Sequence, residues 1–230
     1  MRFHGWRFAN TVFCLTALLL LMGCTTSEPE IEPIGEIEID YLMTIALGAE
    51  YGTSDARIRK WVEDLRIEVS GAPTAEDKKT LDAVIDELNA LQDQVTLQLV
   101  DDKPNVKIVF APEAEFSSLE PNYKPTNYGF FWVYWNAKGE IYQAKILIST
   151  DHVTQTKRSH LIREELTQSL GLMKDSIKYP DSIFQARWTE VTEYSDLDRA
   201  IINLLYRDEI EPNMAQTQVQ EILDRLKSSE

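Results

Sequence analysis

The stretch that most constrains the fold is Arg158–Leu172, with the sequence RSHLIREELTQSLGL. Its apolar residues recur at helical spacing and form a single stripe: Leu161, Ile162, Leu166 and Leu170. On another face, polar residues recur at every fourth position and therefore stack along the helix: His160, Glu164 and Gln168. Glu165 lies beside them, and Gly171 stands where a helix usually ends. This pattern predicts a helix that buries one side and lines a site with another.

This stretch resembles the active-site helix of metzincin-type zinc metallopeptidases, whose motif is H-E-x-x-H-x-x-G-x-x-H. Glu165 corresponds to the general base of that motif and Gly171 to its turn glycine. The positions of the three histidine ligands hold Glu164, Gln168 and Lys174. The wider region from Lys145 to Met214 is similar to a bacterial family of lipoproteins with a degenerate metallopeptidase-like domain. The resemblance implies an α+β, zincin-like single domain, with a mixed sheet, a central helix of the active-site type and C-terminal helices.

The ligand chemistry argues against a hydrolytic zinc site. Such a site needs three good protein ligands and an open position for water. Gln168 offers only a neutral amide oxygen, and Lys174 would bring a positive charge to the cation. We therefore expect no metal cofactor. The alternative is an active zinc peptidase with atypical ligands (His160, Glu164 and Gln168), in which Glu165 is the general base.

Without a metal, Glu165 needs another partner, because burying an unpaired carboxylate is costly. Four residues are candidates for this role: Arg163, Lys174, Ser182 and Thr189. The run Tyr179–Phe184 corresponds in position to the methionine turn that lies beneath a metzincin zinc site. Phe184 stands where the methionine would be, so the resemblance implies a packed turn there, with Phe184 filling space.

The first 23 residues predict a secretion signal, with two arginines at the start and an apolar core over 12–22. The apolar run is too short for a spanning helix. It ends in Leu-Met-Gly-Cys, which resembles a bacterial lipobox, so Cys24 is expected to become the N-terminus and to carry the lipid. An ordinary cleaved signal followed by a free cysteine is the alternative. Residues 24–40 are acidic and include two prolines, which predicts a tether, and residues 41–230 are expected to form the metzincin-like domain.

The location and partners follow from the same features. Thr25 is not the aspartate that holds a lipoprotein at the inner membrane, so we expect a lipid anchor in the outer membrane of the cell envelope. The formal net charge of −15 argues against nucleic acid as a partner, because nucleic-acid binding needs basic patches. Cys14 would be lost with the signal and Cys24 acylated, which leaves no thiol for a disulfide or a thiolate zinc site.

Short-range signals predict the other elements. Two capping pairs mark the starts of helices: Thr74 with Asp77, and Ser195 with Asp198. Apolar alternation predicts strands at four places: 95–99, 106–110, 130–135 and 140–149. The last two are separated by turn residues and are expected to form a hairpin. Helices are also expected near both ends of the domain, over 41–51 and 215–227.

The aromatic run from Tyr128 to Trp135 has two interpretations. Aromatic residues on both faces of a strand usually belong to a core. Alternatively, one face is kept for a ligand, in a groove formed by Trp132, Tyr134 and Trp135. The zincin resemblance implies that an edge strand near this place binds an extended peptide by backbone pairing, a mode that needs no metal.

The sequence favours a lipid-anchored envelope protein whose domain has lost the zinc-binding histidines and binds a peptide or an envelope protein without catalysis. An active zinc-dependent metallopeptidase and a purely structural envelope lipoprotein are the two alternatives. Other hydrolase and nucleotide-binding classes are excluded, because the sequence has no G-x-S-x-G nucleophile elbow and no glycine-rich phosphate loop.

Overall fold

The computed structural model describes Met1, residues 34–47 and residues 56–229. The predicted signal peptide and Cys24, the expected lipid attachment site, lie outside these residues, as does most of the predicted tether. Residues 34–47 and 56–229 belong to one compact unit. Among the described helices, none has the length and apolar character that a membrane span requires.

The described residues form six strands and six α-helices. The strands are β1 (Lys60–Trp61), β2 (Leu65–Gly71), β3 (Leu97–Leu99), β4 (Val106–Ala111), β5 (Gly129–Trp135) and β6 (Glu140–Ser149). The helices are α1 (Glu36–Ala46), α2 (Ala75–Leu91), α3 (Phe116–Leu119), α4 (Gln155–Gln168), α5 (Asp196–Leu205) and α6 (Gln216–Ser229). A 3-10 turn at Glu113–Glu115 precedes α3.

The sheet is mostly parallel, in the order β3-β2-β4-β6. β1 pairs parallel with the first two residues of β6. Of the described strands, β5 alone runs antiparallel, and it pairs with β6. The helix α2 connects the parallel strands β2 and β3, which a short turn could not do. The predicted mixed sheet and the predicted β5–β6 hairpin are therefore confirmed.

The two faces of the sheet have different covers. One face packs on the helices and carries the main core, with buried residues such as Ile67, Ile108 and Ile146. The opposite face carries a smaller core around Phe130 and Leu147. This second core is covered by the segment between β4 and β5. Its side chains Phe116 and Tyr123 pack there: Ala111, Phe116, Tyr123, Phe130 and Leu147 form the cluster.

Two helices begin where the capping pairs predicted. The Thr74 hydroxyl accepts a hydrogen bond from Asp77 N–H (3.1 Å), and the Asp77 carboxylate accepts one from Thr74 N–H (2.7 Å). Ser195 and Asp198 form the same reciprocal pair at the start of α5. Each pair satisfies two of the N–H groups that a helix leaves unbonded at its first turn.

The first helix starts earlier than the sequence suggested. We expected a tether to residue 40 and a helix over 41–51, but α1 spans Glu36–Ala46. Ile34 and Ile39 are buried, so this segment packs on the domain rather than extending into solvent. The acidic residues that indicated a tether include Glu36 and Glu38, which lie in the first turn of α1, where the helix dipole favours negative charge.

The central helix α4 also differs in its limits from the predicted 158–172. The Thr154 hydroxyl caps its start by accepting a hydrogen bond from Lys157 N–H (3.0 Å). At its end, distant aromatic side chains bind two carbonyls: Trp61 Nε1 donates to Ser169 O, and Tyr206 OH donates to Leu170 O, both at 2.9 Å. Carbonyls at the end of a helix have no N–H partner within the helix, and these two bonds supply one. Eleven of the fourteen residues of α4 are buried, which makes it the central element of the domain.

Gly171, just beyond α4, is required by geometry. Its φ is +120°, a conformation that side-chain-bearing residues rarely adopt. A methyl group at this position would also overlap the backbone carbonyl of Arg59. The sharp turn at Gly171 directs the chain from α4 into the loop that forms one wall of the candidate site.

Candidate functional site

A small polar cleft lies along one side of α4. This helix contributes one wall, with the side chains of Lys157, Leu161, Glu164, Glu165 and Gln168. The opposite walls come from residues 126–129, which lead into β5, and from Asp175 and residues 185–188. The cavity volume is about 170 Å³. The structure thus brings Glu164, Glu165 and Gln168 together at a cleft, as the helical spacing predicted.

His160 supports this cleft from behind rather than lining it. Its side chain is fully buried, and Nδ1 lies 2.5 Å from the carbonyl oxygen of Val191. A carbonyl can only accept, so Nδ1 carries the proton of this bond. Nε2 lies 3.0 Å from Glu164 Oε2, although the contact does not have hydrogen-bond geometry. The imidazole therefore lies directly behind Glu164, whose carboxylate lines the cleft.

The structure departs most from the metzincin motif at its third ligand position. Lys174, which corresponds to that position in the sequence, is exposed and does not line the cleft. The next residue, Asp175, lines it instead and accepts a hydrogen bond from Gln168 Nε2 (2.6 Å). The turn after Gly171 thus presents a carboxylate to α4 rather than an ammonium group.

Glu165 lies at the junction between α4 and β5. It is 6% exposed, and its carboxylate occupies the space next to Gly129, the first residue of β5. Of the partners suggested by the sequence, Arg163 forms a two-point bond with Glu87 (2.7 and 3.1 Å). Ser182 binds Tyr41 and Asp198, as described below. The general-base position of the motif therefore lies on the cleft wall, against the edge strand.

Lys157 provides a cation on the same cleft wall as Glu164 and Glu165. The sequence analysis did not predict it as a cleft residue. Its Nζ donates to the carbonyl of Thr189 (3.1 Å) and lies 4.5 Å from the ring centre of Trp188. Burial lowers the pKa of Lys157, and the negative charges of Glu164 and Glu165 partly oppose this shift. Its spacing of seven and eight residues from these glutamates, on one helical face, was the signal that could have identified it.

Trp188 and Asp175 were also missed. Trp188 is 64% exposed at the mouth of the cleft, where its ring meets the edge of Tyr128 at 6.2 Å. Both residues lie in the loop after α4, in which no periodic pattern indicates which side chains face inward. Only their distance in sequence from Gly171 could have indicated that they lie near the cleft.

The turn Tyr179–Phe184 is packed, as the resemblance implied. Phe184 is fully buried in the main core. The Ser182 hydroxyl donates to Asp198 Oδ1 (2.6 Å) and also bonds the Tyr41 hydroxyl (2.7 Å). The next residue, Gln185, lines the cleft. This buried network connects α1 and α5 to the loop that forms the cleft wall.

The three aromatic residues of the predicted groove do not share one surface. In the β5–β6 register, Trp132 and Tyr134 face away from α4, whereas Trp135 faces the α4 side. Trp132 is half-buried and stacks on Phe130 at 6.3 Å, as part of the second core. Trp135 is 37% exposed, with the Arg59 guanidinium 5.4 Å from its ring centre.

The described donor atoms at and behind the cleft form no grouped set of zinc ligands. His160 Nδ1 is bonded to Val191, and the Gln168 amide is bonded to Asp175. Within residues 34–47 and 56–229, no three His, Cys, Asp or Glu side chains are close enough together to hold a metal ion. Zinc needs at least three such ligands.

The fold and this site can be compared with known proteins. The chain is an α/β protein with a polar cleft beside an edge strand. A family model described as "Protein of unknown function (DUF2927)" matches residues 36–225, so the chain belongs to this family.

A comparison with curated proteins found no match. Two solved structures of myroilysin are similar, each at 11% sequence identity. One has a TM-score of 0.42 and covers 64% of this chain and 95% of that chain. The other has a TM-score of 0.45 and covers 78% of this chain and 96% of that chain. Likeness at this level carries no conclusion about activity.

Proposed function

We propose that this protein is a lipid-anchored protein of the bacterial cell envelope, whose zincin-like domain binds an extended peptide without hydrolysing it. One observation carries the proposal: the polar cleft lies against the first residue of β5, and no other described strand pairs with the outer edge of β5. An open sheet edge supplies backbone bonds and a neighbouring pocket supplies side-chain specificity, which together suit binding by strand addition.

The hydrogen-bond register indicates which backbone groups of β5 would bind the peptide. Ser149 N–H donates to the carbonyl of Tyr128 (2.8 Å), which makes these two residues a bonded pair at the start of the β5–β6 ladder. Bonded and non-bonded pairs alternate along antiparallel strands. The N–H and C=O groups of Gly129, Phe131 and Val133 therefore point away from β6, toward the position of an added strand.

Side chains around this edge would contact the peptide on both faces. An added strand continues the pleat, so its successive side chains point to opposite faces of the sheet. Trp132 and Tyr134 would flank the peptide on one face and Trp135 on the other. At the Gly129 end, one peptide side chain would meet the cleft.

Binding without hydrolysis is supported by the donor set at the cleft. A metallopeptidase needs a metal-bound water, and the side chains that occupy the ligand positions are a carboxylate, an amide and an exposed ammonium group. Glu165 keeps the position of the general base, but His160 lies behind the cleft rather than in it. We infer a scaffold that retains peptide binding after losing catalysis.

Peptide binding can be tested with short fluorescent peptides and the full-length protein. Strand addition predicts that methylating the peptide amides that face β5 abolishes binding, because those N–H groups donate to the β5 carbonyls. Methylating the alternate amides, which face away, is the matched control and should change the dissociation constant by less than about threefold. Equal effects of the two methylation patterns would reject strand addition.

The lipid anchor needs a separate test. Cells that express the natural chain should incorporate labelled palmitate into the protein and retain it in the outer-membrane fraction, while Cys24→Ala should do neither. A natural chain that carries no label and is recovered in the soluble fraction would overturn this part of the proposal.

A further inference from the structure

We propose that the cleft binds one cationic side chain of the peptide, an ammonium or guanidinium group. This inference rests on the proposed peptide binding and names the class of ligand that the site selects. It follows from three properties of the cleft: its volume, its unfilled hydrogen-bonding capacity and its charge.

The volume fits a single side chain. Pockets that enclose whole small-molecule ligands usually have volumes of about 300–1,000 Å³. The cleft has a volume of about 170 Å³, so it is too small for such a ligand. It is large enough for a few water molecules, each of which takes up about 30 Å³ of liquid, or for one long side chain.

Glu164 has the capacity to bind such a group. It is 8% exposed, and its carboxylate lines the cleft. Within the described part of the chain, this carboxylate accepts no hydrogen bond, because its contact with His160 Nε2 lacks the required geometry. A carboxylate that is nine-tenths buried is stabilised when a donor fills its vacant positions. An ammonium with three donors or a guanidinium with five would do this.

The charge of the cleft also favours a cation. Three carboxylates line it, from Glu164, Glu165 and Asp175, against two cations, from Lys157 and Arg187. The Lys157 ammonium donates to the Thr189 carbonyl and lies 4.5 Å from the Trp188 ring centre, so part of its bonding capacity is directed away from the carboxylates. Trp188 and Tyr128 at the mouth add aromatic faces, which attract cations.

A dispersed set of acceptors suits a cationic side chain better than a metal ion. A metal draws its ligands to one point at short distance, whereas no three candidate ligands are grouped in that way among the described residues. An ammonium or guanidinium group has donors that diverge, so it can bridge acceptors on opposite walls. Glu164 on α4 and Asp175 on the loop are such a pair.

The experiment compares three peptides that differ at one central residue: lysine, norleucine or glutamate, all with blocked termini. Isothermal titration of the full-length protein should give at least about tenfold tighter binding for lysine than for norleucine, with glutamate weakest. The lysine preference should shrink as the salt concentration rises, since it is electrostatic.

Three variants test the assignment to the cleft. Glu164→Gln should reduce the ratio of lysine to norleucine affinity to below about threefold. Glu76→Gln, an exposed carboxylate on α2, is the matched control and should keep the full ratio. Lys157→Met removes the internal cation and should strengthen lysine binding, which gives a second test if Glu164→Gln fails to fold.

The outcomes separate the two proposals. If all three peptides bind equally well, the cleft does not select a cation, although peptide binding stands. If no peptide binds, strand addition itself fails and this inference fails with it. A lysine preference that changes in neither Glu164→Gln nor Lys157→Met would place the selecting group elsewhere and overturn the assignment.

Discussion

Gly129 of β5 packs directly against Glu165 of α4. A methyl group on Gly129 would overlap Glu165 Oε1 and would lie 2.7 Å from Leu161 Cδ2. The absence of a side chain at this residue thus allows the edge strand and the cleft wall to meet. The outer edge of β5 and the carboxylate cleft therefore meet at this contact.

Gly129→Ala is expected to lower the free energy of unfolding by about 1–3 kcal/mol, the usual cost of overpacking a buried site. It should also weaken peptide binding, because Glu165 must move. Urea denaturation and titration calorimetry measure the two effects. The double variant Gly129→Ala/Glu165→Ala should recover part of the lost stability, as expected for residues in contact. Strictly additive effects would show that the two residues are not coupled.

The buried carboxylate of Asp198 holds the turn below the cleft. It accepts hydrogen bonds from the Ser182 hydroxyl (2.6 Å), Ile183 N–H (3.1 Å) and Ser195 N–H (3.0 Å). Asp198→Ala leaves these three donors without their partner, so we expect a loss of about 3 kcal/mol or more in unfolding free energy. Asp196→Ala, an exposed change two residues earlier, should cost less than about 1 kcal/mol. Similar losses for the two variants would contradict the network.

Lys60 should make stability depend on pH in the alkaline range. It is 2% exposed, its Nζ donates to the carbonyl of Ile210 (2.9 Å), and burial lowers its pKa from 10.5 to about 8. Between these values the unfolded chain binds more protons, so stability rises with pH. The contribution is fully present above pH 10.5 and is lost as the pH falls through 8.

This effect of Lys60 is measured as a difference between proteins. The unfolding free energy of the natural protein minus that of Lys60→Met should grow by about 3 kcal/mol from pH 8 to pH 10.5. The same difference for Lys79→Met, at an exposed site on α2, should stay constant. Parallel curves for the natural protein and Lys60→Met would mean that the lysine titrates as it does in the unfolded chain.

The position of Asp175 leads to a prediction about metal binding by design. Glu164→His with Gln168→His would place two imidazoles on successive turns of α4, and Asp175 would supply a third ligand. We expect this double variant to bind zinc in competition with a chromophoric chelator. Adding Asp175→Ala should weaken zinc binding by at least about tenfold, whereas adding Lys174→Ala should leave it unchanged. If Lys174→Ala weakened zinc binding and Asp175→Ala did not, Lys174 would be the third ligand.

The sequence predicted best the elements whose signals are local. The capping pair at Thr74 is complete within four residues, and the hairpin between β5 and β6 depends on alternation and a short turn. Such patterns express the preferences of neighbouring residues, so these local elements can be predicted without knowledge of distant contacts. The same reasoning identified Glu164 and Glu165 as cleft residues, because helical spacing fixes which side chains share a face.

The features that the sequence did not predict depend on residues far apart in the chain. The carbonyls just beyond α4 are bound by Trp61 and Tyr206, which no local pattern connects to this helix. The choice of Asp175 over Lys174 depends on how the loop folds back on α4. The acidic run before residue 41 resembles a solvated tether by composition, and only the packing of Ile39 against the rest of the domain shows that it forms part of a helix.

Tyr41 of α1 directly contacts the turn below the cleft. Its ring meets Tyr179 edge-on at 4.8 Å, and its hydroxyl bonds Ser182 at 2.7 Å. Mechanical tension applied through the residues that precede α1 would therefore act on this turn through Tyr41. With the proposed lipid anchor at Cys24, a pull on the anchor would therefore reach the wall of the proposed peptide cleft through this contact.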